Sequence, residues 1–160
     1  MIEELIFLSL AGMKRVRPAL DTLVISILDR SEEQARPPLG GFRSVLVLNF
    51  EDTYEELKLA APGAWPDEPT PEEHARFCQG AGELVPTLTD AKRIFDFLTL
   101  HRFSDEKLKL VVHCHGGISR SAAVAEWISV NLWLPIANGR STEYANLRLM
   151  RLLDKAAGKR

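Results

Sequence analysis

Residues 108–134 constrain the chain more tightly than any other stretch. They open as a β-type run, Leu108-Lys109-Leu110-Val111-Val112, and continue as His113-Cys114-His115-Gly116-Gly117-Ile118-Ser119-Arg120-Ser121. They close in an Ala-, Ile- and Trp-rich segment long enough for a buried helix. Strand, glycine-containing loop and helix in that order put a ring of backbone N–H groups at a helix N-terminus, where anions bind. A cysteine and an arginine share that ring. Cys114 lies where the strand gives way to the helix, so the loop N–H groups, the helix dipole and the Arg120 charge favour its thiolate. Arg120 can clamp two phosphoryl oxygens side by side, which a lysine does less well. Gly116 and Gly117 let the backbone curl so that its N–H groups point inward. Ser121 can donate a hydrogen bond to the sulfur when it leaves. Such a set of groups predicts formation and breakdown of a cysteinyl-phosphate.

The remaining sequence supplies a scaffold for such a loop. Its 160 residues make one domain, 1–160, large enough to bury a core. At 46% hydrophobic and 26% charged residues with a net charge of −2, the chain lacks the basic surplus of a protein that grips nucleic acid or an anionic membrane. The opening Met1-Ile2-Glu3-Glu4-Leu5-Ile6-Phe7-Leu8 has no basic leader and is too short to span a bilayer; it reads as a first strand. Two cysteines, Cys78 and Cys114, do not make a disulfide framework, so the expected compartment is the reducing cytoplasm. His113, Cys114 and His115 are adjacent, but neighbours on a strand point to opposite sides. No metal and no other cofactor is implied.

Strand-like runs at residues 4–10, 22–28, 44–50 and 108–112 alternate with helical patterns, which predicts an α/β domain. Its central sheet is expected to be mainly parallel, of about four to five strands, with helices on both faces. Lys14, Arg15 and Arg17, between the first two runs, read as a solvated face. Residues 29–41 carry charges, Pro37-Pro38 and Gly40-Gly41, and read as a surface loop. Residues 55–82 are irregular and include Trp65-Pro66-Asp67; this excursion is a candidate lid or pocket wall. Thr70-Pro71-Glu72-Glu73 starts a brief helix ending near Gly80 or Gly82. Thr87 starts another, with Ala91, Ile94, Phe95 and Leu98 on one face, running to about His101. The helix after Arg120 is apolar nearly all round and is expected to be the most enclosed. Ser141 or Thr142 is expected to cap a last helix whose inner stripe is Leu149, Leu152, Leu153 and Ala156.

His113-Cys114-x-x-Gly117-x-x-Arg120-Ser121 resembles the active-site signature of the protein tyrosine phosphatase superfamily. The run Gly117-Ile118-Ser119-Arg120-Ser121 is most similar to the dual-specificity branch and its small bacterial relatives. A looser likeness extends over roughly residues 22–153, including a terminal helix beginning near Asn146. Gly116 departs from the alanine usual in relatives, and Ser119 from the glycine of many. The resemblance implies the cysteine-based tyrosine phosphatase fold and hydrolysis of a phosphorylated protein or a small phosphoester. Cys114 would be the nucleophile. His115, Gly116, Gly117, Ile118, Ser119 and Arg120 would surround the phosphate, with His113 bonding backbone nearby and tuning the thiolate. No lysine lies among residues 115–119, which disfavours inositol phosphates. The resemblance also requires an aspartate on a separate loop to protonate the leaving group. Asp52 directly follows the SVLVLNF strand, at the edge where ligands collect, and is favoured; Asp67 of Trp65-Pro66-Asp67 is the alternative, and Glu51 a third choice. Two other readings use the same residues: a regulatory module that binds phosphate without turnover, and a thiol-redox or sulfur-transfer protein in which Cys78 resolves an oxidised Cys114.

Overall fold

The computed structural model describes residues 1–58, 65–78, 80 and 84–159. Strand β2 (Thr22–Leu28) is buried along its whole length, as a continuous apolar run demands of a strand covered on both faces. It pairs in parallel with β3 (Ser44–Asn49) on one side and β4 (Leu108–His113) on the other; β1 (Ile2–Leu8) then pairs in parallel with β4. The order is β1-β4-β2-β3, a four-stranded parallel sheet in an α/β domain. All four strands therefore end along one edge, where Ser9, Asp29, Phe50 and Cys114 follow them.

The two-residue period divides the strands between two cores. Leu5, Phe7, Leu23, Ile25, Ile27, Leu48, Leu110 and Val112 face the larger one. It is closed by α4 (Leu88–Arg102), α5 (Arg120–Leu132) and α6 (Leu147–Ala156). Val24 and Val111 face a smaller one with Met13 and Phe42. Helices thus cover the sheet unequally. The three long ones share one face, while among the described residues the other is covered by α1 (Leu10–Met13), by residues around Val16, Leu39 and Phe42, and by Arg36, which donates to Ser26. A third, separate cluster stacks Trp65 on Phe77 of α3 (Pro71–Phe77), with ring centroids 4.2 Å apart, beside Val85 and Cys78. Short α2 (Glu55–Lys58) follows the end of β3.

Several boundaries differ from the sequence expectation. The first strand runs two residues earlier than residues 4–10, because Ser9 accepts a hydrogen bond from Gly12 N–H and caps α1. Residues 29–41 are not simply a loop: Arg30–Ala35 form a 3-10 helix, and the Arg36 side chain behind it is largely buried. The α3 helix stops at Phe77, short of Gly80 or Gly82, since Cys78 is extended (ψ 137°) where Phe77 docks on Trp65. The α5 helix is the most enclosed of the three long ones, as expected, being buried from Arg120 to Ala125 and at Trp127 and Ile128; beyond Ile128 burial ends, and Val130 and Trp133 are exposed, the latter at 91%. Neither Ser141 nor Thr142 caps α6. Thr142 donates to Glu126 Oε2 instead, and Asn146 accepts from Leu149 N–H as the cap. Lys14, Arg15 and Arg17 are exposed. Part of the candidate lid, residues 59–64, 79 and 81–83, lies outside the described residues. Among the described residues no helix is long and apolar enough to cross a membrane.

Candidate active site

The loop between β4 and α5 closes against the end of β1. Leu10 N–H donates to the His115 carbonyl (2.9 Å), and Gly117 sits directly on the Leu8–Ser9 backbone. A Cβ on Gly117 would lie 2.4 Å from the Ser9 nitrogen, and its φ of +63° is one that side chains rarely adopt. Gly116 differs: it has no positive φ, and a Cβ there would meet only Ile118 at ordinary distance. The curl thus depends on Gly117, not on both glycines.

Cys114 is buried in the mouth of this loop. Its Sγ accepts from Gly117 N–H at 3.2 Å and lies 3.1 Å from Ser121 Oγ. Arg120, first residue of α5, is buried as well. Its Nη1 donates to Asp29 Oδ1 (2.6 Å) and to the Phe50 carbonyl (2.8 Å), while its Nε is buried with no hydrogen-bond partner. Asp29 and Phe50 directly follow β2 and β3, so two strand ends hold one side of the guanidinium. Burial pushes the Asp29 carboxyl above its usual range, outweighing the downward pull of Arg120.

Asp52 joins the loop through three donors. Its Oδ1 accepts from Ser119 Oγ (2.7 Å) and Asn146 Nδ2 (2.9 Å), and its Oδ2 from the Tyr54 hydroxyl (2.8 Å). Asn146 Nδ2 also donates to the Thr53 carbonyl, and Asn146 N–H to the Ser119 carbonyl. One buried asparagine therefore ties the segment after β3, the Cys114 loop and α6 together. Asp67 lies elsewhere: it pairs with Arg151 (2.7 Å) and Lys155 on α6. Burial alone would raise its carboxyl, but the bonds and charges of those two cations hold it below the usual range, so it retains a proton poorly. Its tripeptide serves packing, with Trp65 on Phe77 and the Pro66 carbonyl accepting from Arg148. Glu51 is buried and accepts from Gly80 N–H.

His113 is fully buried. The Cys114 backbone lies close enough to the ring to favour its charged form, in keeping with the expected backbone contact, although neither ring nitrogen makes a well-formed hydrogen bond. Burial lowers it to about 4; the Cys114 backbone opposes that, and the nearby Arg36 and Arg120 cations add smaller downward pushes. His115 is exposed, its Nδ1 2.9 Å from Glu32 Oε1 on the 3-10 helix. Ile118 stands exposed on the rim, in a shallow trough with Arg140, Ser141 and Tyr144. Arg140 braces the loop by donating to the Gly117 carbonyl at 2.7 Å. Both cysteines are free thiols; Cys78 packs with Trp65 and Phe77, in a different cluster from Cys114. No group of three or more His, Cys, Asp or Glu among the described residues is arranged to hold a metal ion.

Sequence reasoning missed Asp29, Tyr54, Asn146 and Arg140. Asp29 was legible in principle, because it follows a buried strand just as Asp52 does; the charged residues after it masked that signal. Asn146 carried only the mark of a helix cap.

No protein-family model matches the sequence, and no curated protein is significantly similar to it. Among solved structures the chain is similar to the crystal structure of human tyrosine phosphatase-like serine/threonine/tyrosine-interacting protein. The two are 18% identical with a TM-score of 0.41, over 86% of this chain and 76% of that one. A superposition that loose carries no function from one chain to the other.

Proposed function

We propose that this chain is a cysteine-dependent phosphatase that hydrolyses phosphotyrosine esters, and phosphoserine or phosphothreonine esters where its pocket admits them. The observation that carries the reading is the divided guanidinium of Arg120. Its Nη1 is anchored by Asp29 and Phe50, while Nε is buried and unpaired and Nη2 makes no hydrogen bond among the described residues. A buried donor without a partner costs about 1–3 kcal/mol. Two oxygens of a phosphoryl group would satisfy the Nε–Nη2 edge side by side.

In this mechanism the Cys114 thiolate attacks phosphorus in line, the P–O bond to the leaving group breaks, and Asp52 gives that oxygen its proton. Water then attacks the cysteinyl-phosphate, Asp52 takes a proton from it, and the S–P bond breaks with both electrons returning to sulfur. Ser121, beside Sγ, donates to the departing thiolate. Ser119, Asn146 and Tyr54 keep Asp52 over the loop.

Wild type should hydrolyse para-nitrophenyl phosphate and Cys114→Ser should not; an inert wild type that still binds phosphate would favour the regulatory-module reading. With esters of poor leaving groups, Asp52→Ala should lower kcat by about 100-fold or more. The loss should shrink as the leaving group improves, and Asp67→Ala should show no such dependence. A leaving-group series for both variants decides between the two aspartates.

A further inference from the structure

We propose that Asp29 is a positioning residue that fixes the plane of the Arg120 guanidinium, so that its Nε–Nη2 edge is presented to a bound oxyanion before the anion arrives. The inference rests on the phosphate-binding reading of the loop but assigns a residue that the signature does not contain. The guanidinium is planar, so its orientation is set once one nitrogen is held by acceptors in two directions. Nη1 is held in this way, by Asp29 Oδ1 at 2.6 Å and the Phe50 carbonyl at 2.8 Å. Both acceptors leave the ends of adjacent strands, β2 and β3, which are paired in register from Leu23–Ser44 through Leu28–Asn49. The Arg120 side chain is 6% exposed and that of Asp29 20%, so water contributes little to holding the fork. The Asp29 amide, in turn, donates to Glu32 Oε2, which fixes the residue at the start of the 3-10 helix.

Position and charge make opposite predictions here, which makes the proposal testable. An anion at Asp29 repels a bound phosphate, so if charge were its whole contribution, removing it would tighten oxyanion binding. If Asp29 positions the fork, removing it leaves Nη1 short of an acceptor and the fork free to turn, and binding weakens. Calorimetric titration with inorganic tungstate reads the fork directly and does not depend on turnover. Asp29→Ala should weaken tungstate by about tenfold or more, and lower kcat/KM for an aryl phosphate by about 100-fold. Asp29→Asn keeps an acceptor oxygen at the same reach and should bind tungstate within about threefold of wild type. Asp29→Glu keeps the charge but displaces the acceptor by one methylene, and should behave like the alanine variant. It also serves if Asp29→Ala does not fold. Tighter tungstate binding by Asp29→Ala, or a wild-type affinity in Asp29→Glu with a loss in Asp29→Asn, would overturn the proposal. Should wild type prove unable to turn over any ester while the tungstate pattern holds, the proposed activity fails and the positioning role stands.

Discussion

Gly117 shows how much of a tightly curled loop can hang on one missing side chain. Its φ of +63° already disfavours any substituent, and a Cβ would enter the Leu8–Ser9 backbone, which cannot rotate aside as a side chain tip can. Gly117→Ala should therefore cost about 3 kcal/mol or more and depress the melting temperature, whereas Gly116→Ala should melt close to wild type. His113 is the second residue with a measurable signature. Burial lowers it to about 4 from an ordinary value of about 6.5, so the folded chain favours the neutral imidazole. A lowered histidine costs nothing above its unfolded value. The penalty for folding around it grows as pH falls from about 6.5 to about 4, where it approaches about 3 kcal/mol. Urea unfolding at pH 7 and pH 4.5 should show a smaller acid-induced loss in His113→Gln than in wild type.

At the scale of elements, α6 does more than close the core. Its inner side carries Leu149, Leu152 and Leu153, as the helical period of the sequence indicates, but its polar residues reach across to three other segments. Asn146 holds the residues after β3, and Arg151 holds Asp67. Arg148, fully buried, donates to Glu55 (2.9 Å), to the Pro66 carbonyl and to the Pro86 carbonyl. Glu55 is buried too, so Glu55→Ala would leave a cation enclosed without its counter-charge. Such a loss costs about 3–5 kcal/mol, and the urea midpoint should fall accordingly. Arg148→Met, which removes charge and leaves a stem of similar bulk, should be the milder change at the same pair.

Across the whole molecule, what was legible in the sequence is what local periodicity encodes. The β2 and β3 runs, the α4 start at Thr87 and the strand–loop–helix around Cys114 fall where hydrophobic pattern and caps put them. Contacts between distant segments were not legible: Arg120 meets Asp29 across 91 residues, and Arg148 meets Glu55 across 93. No periodicity relates such positions. That is why Asp67, attractive as part of a tripeptide, turned out to belong to α6, while Asp29 went unnoticed in a stretch read as loop. The same long separations bear on how the site comes into being. The floor of the Cys114 loop is β1, whose partner β4 lies about 100 residues further along the chain. At a synthesis rate of roughly 5–20 residues per second, β1 waits roughly 5–20 s on the ribosome for that partner. Through that interval β1 lacks its pairing strand, and Arg120, Ser121 and Asn146, which complete the site, are made only after the thiol. A nascent chain thus makes Cys114 only after the four strands that lead to it, and the site closes around the thiol when α5 and Asn146 follow.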